Sequence, residues 1–152
     1  MKSSAQTILL VEDDVNDVLL IQRAFRKTNL MNPIHVVEDG EQATAYLMGE
    51  GEYSNRDEYP IPSLILLDLK LPRMAGLEVL GWLRDQSNCL KRLPVVVLTS
   101  SRQSTDINRA YDLGANSYLV KPGEFDGLLQ MVKTLDEYWF IHNEKPEVPP
   151  EV

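Results

Sequence analysis

Four places in the chain put reactive side chains where an apolar run stops. Glu12, Asp13 and Asp14 follow TILLV, Asp68 follows LILL, Thr99 and Ser100 follow PVVVL, and Lys121 with Pro122 follows SYLV. An aspartate that ends an otherwise uncharged run could be a helix cap, a metal ligand or a nucleophile. If the runs are strands of one sheet, these groups meet at one rim. Clustered carboxylates raise one another's pKa unless a cation intervenes. Mg²⁺, a hard ion that takes oxygen ligands, is the economical choice, with Mn²⁺ as the alternative. The Thr99 hydroxyl and the Lys121 ammonium are the groups one would place around a transferable phosphoryl group. Asp68, ionised at neutral pH, needs no general base to act as a nucleophile.

The elements that would position these groups are legible in the hydrophobic pattern. Thr7–Val11, Ile34–Val37, Leu64–Leu67, Pro94–Leu98 and Ser117–Val120 read as strands. They are apolar without alternation, as in strands buried on both faces. Between them the period turns helical: Asp14–Lys27, Gln42–Met48, a helix beginning over Leu77–Leu83, Asp106–Leu113, and a long last helix over Glu124–Phe140. In that last helix Phe125, Leu128, Leu129, Val132, Leu135 and Trp139 share one face. Strands separated by helices imply right-handed crossovers and a doubly wound, five-stranded parallel α/β sheet. Ligands of such folds bind outside the carboxyl ends of the strands, where the strand order reverses. Gly49–Pro62 (GEGEYSNRDEYPIP) breaks the repeat and reads as an exposed loop. The segment after His142 (NEKPEVPPEV) has little to bury, so residues 1–142 are expected to form a single domain and 143–152 a mobile tail.

Composition narrows the classes. The 152 residues carry a net charge of -8, which disfavours non-specific nucleic-acid binding. One cysteine, Cys89, precludes an internal disulfide, and two histidines, His35 and His142, make a His-based zinc site improbable. The first apolar run stops at Glu12, too soon for a signal peptide or membrane span, so the expected compartment is the cytoplasm. No GxxxxGK or GxGxxG nucleotide loop occurs.

ILLVEDD, LILLDLKLP with Gly76, VVVLTS and SYLVKP, in this order, resemble the receiver domain of two-component response regulators. The resemblance spans roughly residues 7 to 140 and implies the flavodoxin-like receiver fold, strand order 2-1-3-4-5. It implies that Asp68 accepts a phosphoryl group from the phosphohistidine of a sensor histidine kinase. It makes Asp13 and Asp68 direct Mg²⁺ ligands, with the backbone carbonyl of Lys70, and Glu12 direct or through water. Thr99 and Lys121 would each bond a phosphoryl oxygen, and Tyr118 would be the aromatic switch. The side chains of Lys70 and Ser101 would tune the acyl-phosphate lifetime. Ala75 departs from the acid that often precedes the glycine, which implies a weaker helix N-terminus, by about 1 kcal/mol at most.

GEGEYSN, LKRLPVVVLTSS and DEYWF are similar to the small response regulators paired with cyanobacterial phytochrome kinases. Those are stand-alone receivers that can dimerise through the fourth helix, fifth strand and fifth helix. The expectation is a non-enzymatic, stand-alone phosphoacceptor acting through a downstream protein partner or by dimerisation. Two other readings compete with it. A phosphatase using an aspartyl phosphate would want a second acid two residues after Asp68, where Lys70 stands. A docking-only receiver would be expected to lack one of the acids, the hydroxyl or the lysine.

Overall fold

The computed structural model describes residues 6–149. Each apolar run forms a strand, and each helical segment follows it: β1 (Ile8–Val11), α1 (Val15–Lys27), β2 (Ile34–Val37), α2 (Gly40–Met48), β3 (Leu64–Leu67), α3 (Gly76–Arg84), β4 (Val95–Thr99), α4 (Ser104–Asp112), β5 (Ser117–Val120) and α5 (Phe125–Leu135). The strands make one sheet in the order β2-β1-β3-β4-β5, parallel at every pairing. This is the doubly wound receiver topology expected from the sequence.

The uninterrupted apolar strands have a direct cause. Leu9, Val11, Ile65, Leu67 and Val95 point into a core roofed by α2 and α3, including Tyr46, Val79 and Leu83. Ile8, Leu10, Leu64, Leu66, Val96 and Leu98 face the other way, onto Ile21, Phe25, Leu128, Val132 and Trp139 of α1 and the last helix. Both sets must therefore be hydrophobic. A third cluster of Leu69, Val97 and Ala110 lies beneath α4.

Some segments differ from the sequence reading. The last helix is α-helical only to Leu135 and continues as a π-helical segment over Asp136–His142, within which Trp139 is buried. α3 stops at Arg84, and a separate 3-10 turn, Cys89–Arg92, follows it. The 49–62 segment is folded down rather than held away from the body. Tyr53, Tyr59 and Ile61 pack on the α2–α3 core, and Arg56 donates to the carbonyls of Tyr46 (2.8 Å), Leu47 (2.7 Å) and Tyr59 (3.2 Å). Its tyrosines are embedded among acids and amides, so periodicity could not reveal them. In the C-terminal segment Val148 rests against the same core, and Arg92 donates to the Glu147 carbonyl at 3.2 Å. Among the described residues no helix is long and apolar enough to cross a membrane.

Candidate functional site

The sheet reverses its order between β1 and β3: the chain leaves β1 for β2 on one side and returns to β3 on the other. Val11 pairs with Leu67, so the next residues, Glu12 and Asp68, emerge side by side at the carboxyl ends. The Asp68 amide donates to the Val11 carbonyl at 3.0 Å, which continues the ladder to the reactive residue itself. On the other side of β3, the Lys121 amide donates to the Thr99 carbonyl at 2.8 Å and brings the end of β5 to the same rim.

Lys121 is the hub. Its Nζ lies 2.6 Å from Glu12 Oε1, 2.7 Å from Asp17 Oδ2 and 3.0 Å from Asp68 Oδ2. Glu12, Asp68 and Thr99 are buried, at 1%, 6% and 0% exposure. Asp13 is exposed beside them, and Glu12, Asp13 and Asp68 can each offer a carboxylate oxygen, all within 4.8 Å of one another. Such an all-oxygen cluster at the carboxyl ends of the strands fits a hard divalent cation that keeps part of its water shell. The remaining Asp68 oxygen, Oδ1, accepts from the amides of Leu69 (2.7 Å) and Lys70 (3.5 Å).

The electrostatics favour an ionised Asp68. Burial pushes the Asp68 carboxyl up, but the Thr99 hydroxyl and the Lys121 ammonium outweigh it and hold the group below the usual carboxylate range. Burial dominates at Glu12 and pushes it up to about 7, against the bonds from Lys121 and the Asp14 amide. Burial also works against the charge on Lys121, but its bonds to Asp17, Glu12 and Asp68 more than compensate and keep it firmly protonated.

Other candidates fall in different places. Asp14 is an N-cap: its Oδ1 accepts from the amides of Asn16 (2.9 Å) and Asp17 (3.2 Å). The Lys70 side chain is exposed. The Ser101 hydroxyl is turned to Asp106 in the first turn of α4, 2.5 Å away. The Tyr118 ring leans on the Leu69, Val97 and Ala110 cluster, and its hydroxyl donates to the Ser101 carbonyl at 3.0 Å. Ala75 has no side chain to cap α3, so only half of a capping box forms, with the Ala75 amide donating to Glu78 Oε1 at 3.3 Å. Asp17, which binds Lys121, is the residue that sequence reasoning missed. An acid in the first turn of a helix is ordinary. The one available signal was its place, a turn beyond the acidic end of β1.

A parallel sheet with an acid trio at its switch point, a buried hydroxyl at the end of β4 and a lysine at the end of β5 is the arrangement of a receiver-type signalling domain. The chain belongs to the response regulator receiver domain family, whose match covers residues 8–133. It is similar to the response regulator Rcp1 of Synechocystis sp. (strain ATCC 27184 / PCC 6803 / Kazusa), 40% identical over 134 residues that cover 88% of each chain. Among solved structures it resembles the phosphorylated cyanobacterial phytochrome response regulator RcpA, at TM-score 0.86 and 41% identity, covering 95% of this chain and 100% of that one. It also resembles the Mn²⁺-bound form of Rcp1, at TM-score 0.82 and 37% identity, covering 93% and 99%.

Proposed function

We propose that this protein receives a phosphoryl group on Asp68 from the phosphohistidine of a sensor histidine kinase, of the phytochrome type that the relatives' names suggest, in the cytoplasm. The observation that carries the reading is the environment of Asp68. It is a buried carboxylate at a switch point, held ionised and bonded to Lys121, with two further acids beside it. An Asp68 oxygen would form a bond to phosphorus as the bond from phosphorus to the histidine nitrogen breaks, and the electron pair would leave with the imidazole. Lys121 would pair with a phosphoryl oxygen and Thr99 would donate to another. Glu12, Asp13 and Asp68, with the Lys70 carbonyl, would hold Mg²⁺ or Mn²⁺. A divalent ion supplies charge neutralisation for the transferring group.

The output reading is a two-state switch. Thr99 and Tyr118 would shift when the phosphoryl group is present, and partners would select that state. One such partner is a second copy of the chain. On the α4–β5–α5 side, Leu119, Met131, Leu135, Tyr138 and Trp139 line a groove of about 260 Å³. Exposed Tyr138 and Ile141 extend this apolar face. Strictly monomeric light scattering at high concentration, with and without phosphorylation, would remove the dimer from the account.

The deciding experiment is intact mass after incubation with acetyl phosphate, with and without Mg²⁺, for the wild type and Asp68→Asn. A phosphoryl-sized gain that needs both the ion and Asp68 supports the reading. A gain that survives Asp68→Asn places the acceptor elsewhere and ends it.

A further inference from the structure

We infer that Asp17 is a positioning residue for the phosphorylation site, one of two fixed anchors that aim the Lys121 ammonium at Asp68. The inference rests on the phosphoacceptor reading above and adds to it a residue outside the cluster at the strand ends.

An ammonium has three N–H donors and no acceptor. On Lys121 their acceptors are Glu12 Oε1 at 2.6 Å, Asp17 Oδ2 at 2.7 Å and Asp68 Oδ2 at 3.0 Å. The first two acceptors are held from behind. Glu12 is buried at the end of β1, and its other oxygen accepts from the Asp14 amide at 3.1 Å. Asp17 sits in the first turn of α1, where the Asp14 cap binds its own amide at 3.2 Å. Two donors are thus tied to rigid elements on different sides, which leaves the third directed at Asp68. When a phosphoryl oxygen replaces Asp68 Oδ2 as the third acceptor, the two anchors need not let go.

The space around the lysine gives the anchor something to prevent. A cavity of about 40 Å³ adjoins the lysine, lined by Asp17, Leu20, Ile21, Leu98, Pro122 and Leu128. Its walls are mostly apolar, suited to the aliphatic stem of a lysine. Without Asp17, Glu12 is the one anchor left besides Asp68 itself, and the stem can swing toward that space and loosen the aim of the ammonium at Asp68. A displaced catalytic group slows a reaction without weakening reactant binding.

The test compares wild type, Asp17→Ala and Asp17→Asn by the rate of phosphoryl gain across a range of acetyl phosphate concentrations at fixed Mg²⁺. Asp17→Ala removes the acceptor; Asp17→Asn keeps a neutral one, and urea midpoints confirm that all three proteins are folded. The expected result is a maximal rate lowered about threefold to tenfold in Asp17→Ala, in keeping with a partly exposed ion pair. The half-saturating donor concentration should not rise, and Asp17→Asn should recover most of the loss. An alanine variant as fast as wild type, or faster, overturns the assignment. So does a loss confined to half-saturation, or an asparagine variant as slow as alanine. No phosphoryl gain in the wild type is an outcome distinct from the others: it counts against the phosphoacceptor reading on which the inference rests and in favour of a docking-only receiver.

Discussion

Gly76 stands so close to the carbonyl of Asp68 that a Cβ at position 76 would overlap it and crowd the Leu69 Cα as well. The Gly76 amide meanwhile donates to the Leu69 carbonyl at 2.9 Å. The first residue of α3 is thereby locked onto the backbone that carries Asp68. Gly40 does the same from α2, where a Cβ would collide with Met74 in the same loop. At both glycines the nearest atom is a backbone carbonyl oxygen, which no side-chain rearrangement can move.

Gly76→Ala should accordingly cost about 1–3 kcal/mol of stability, the range for forced overpacking. It should also slow phosphorylation of the folded fraction, because the strain falls on residues 68 and 69. Urea midpoints combined with phosphoryl gain by intact mass check both parts. A variant with wild-type stability and rate would show that the loop yields freely.

The metal reading makes a prediction independent of phosphoryl transfer. Glu12, Asp13 and Asp68 hold carboxylate oxygens within 4.8 Å of one another, and a ligand bound only by the folded state raises its stability by mass action. Addition of Mg²⁺ or Mn²⁺ should raise the melting temperature of the wild type, and a chelator should reverse it. In Asp13→Asn, which removes the exposed acid and leaves the buried Glu12–Lys121–Asp68 network in place, the rise should shrink at every ion concentration. Equal shifts in both proteins would place the ion elsewhere.

The strand ends were legible in the sequence because two strong signals coincide there. A parallel sheet covered on both faces demands continuous apolar strands, and a reactive acid, hydroxyl or lysine breaks that continuity at once. Asp68, Thr99 and Lys121 were visible for that reason. Asp17 was not, since helix first turns commonly carry acids and its partner lies 104 residues away in sequence. The anchoring of the exposed 49–62 loop was hidden for a related reason. What pins it is Arg56 bonding main-chain carbonyls at the end of α2 and a set of tyrosines meeting edge to face, and neither leaves a periodic trace. The π-helical continuation beyond Leu135 was equally hidden, because Trp139 keeps the α-helical spacing that the sequence pattern records.

Arg84 predicts a stability cost far from the site. Its guanidinium donates to the carbonyls of Gly114 (2.9 Å), Lys91 (2.9 Å) and Leu93 (2.7 Å) and to Asn116 Oδ1 (2.9 Å). It thus ties the end of α3 to the loops entering β4 and β5. Arg84→Leu leaves those acceptors without their donor and should cost about 1.5–3 kcal/mol, the range for hydrogen bonds to a charged group. Arg84→Lys should recover only part of it, because an ammonium cannot reproduce the fork. Chemical denaturation of the three proteins settles the order.

His35 predicts a pH dependence of folding. It lies between Tyr46 and Tyr59, with ring centroids 5.8 and 5.6 Å away. Burial lowers its pKa below the ordinary 6.5, against the pull of Glu58, which raises it. The folded protein therefore binds this proton less readily than the unfolded chain. Above the ordinary value both states are neutral at His35 and no stability is lost through it. As the pH falls below that value the unfolded chain takes up the proton first, and stability declines until the folded pKa is passed. Relative to His35→Phe, the wild type should lose stability between pH 7.5 and 5.5, a window of about one unit on either side of the ordinary value; the comparison cancels the opposite contribution of Glu12, whose raised pKa makes the folded state bind its proton first. Glu58→Gln, which removes the one influence favouring the imidazolium, should steepen the decline. Identical pH profiles for the wild type and His35→Phe would show that the imidazole titrates as freely in the folded protein as in the unfolded chain.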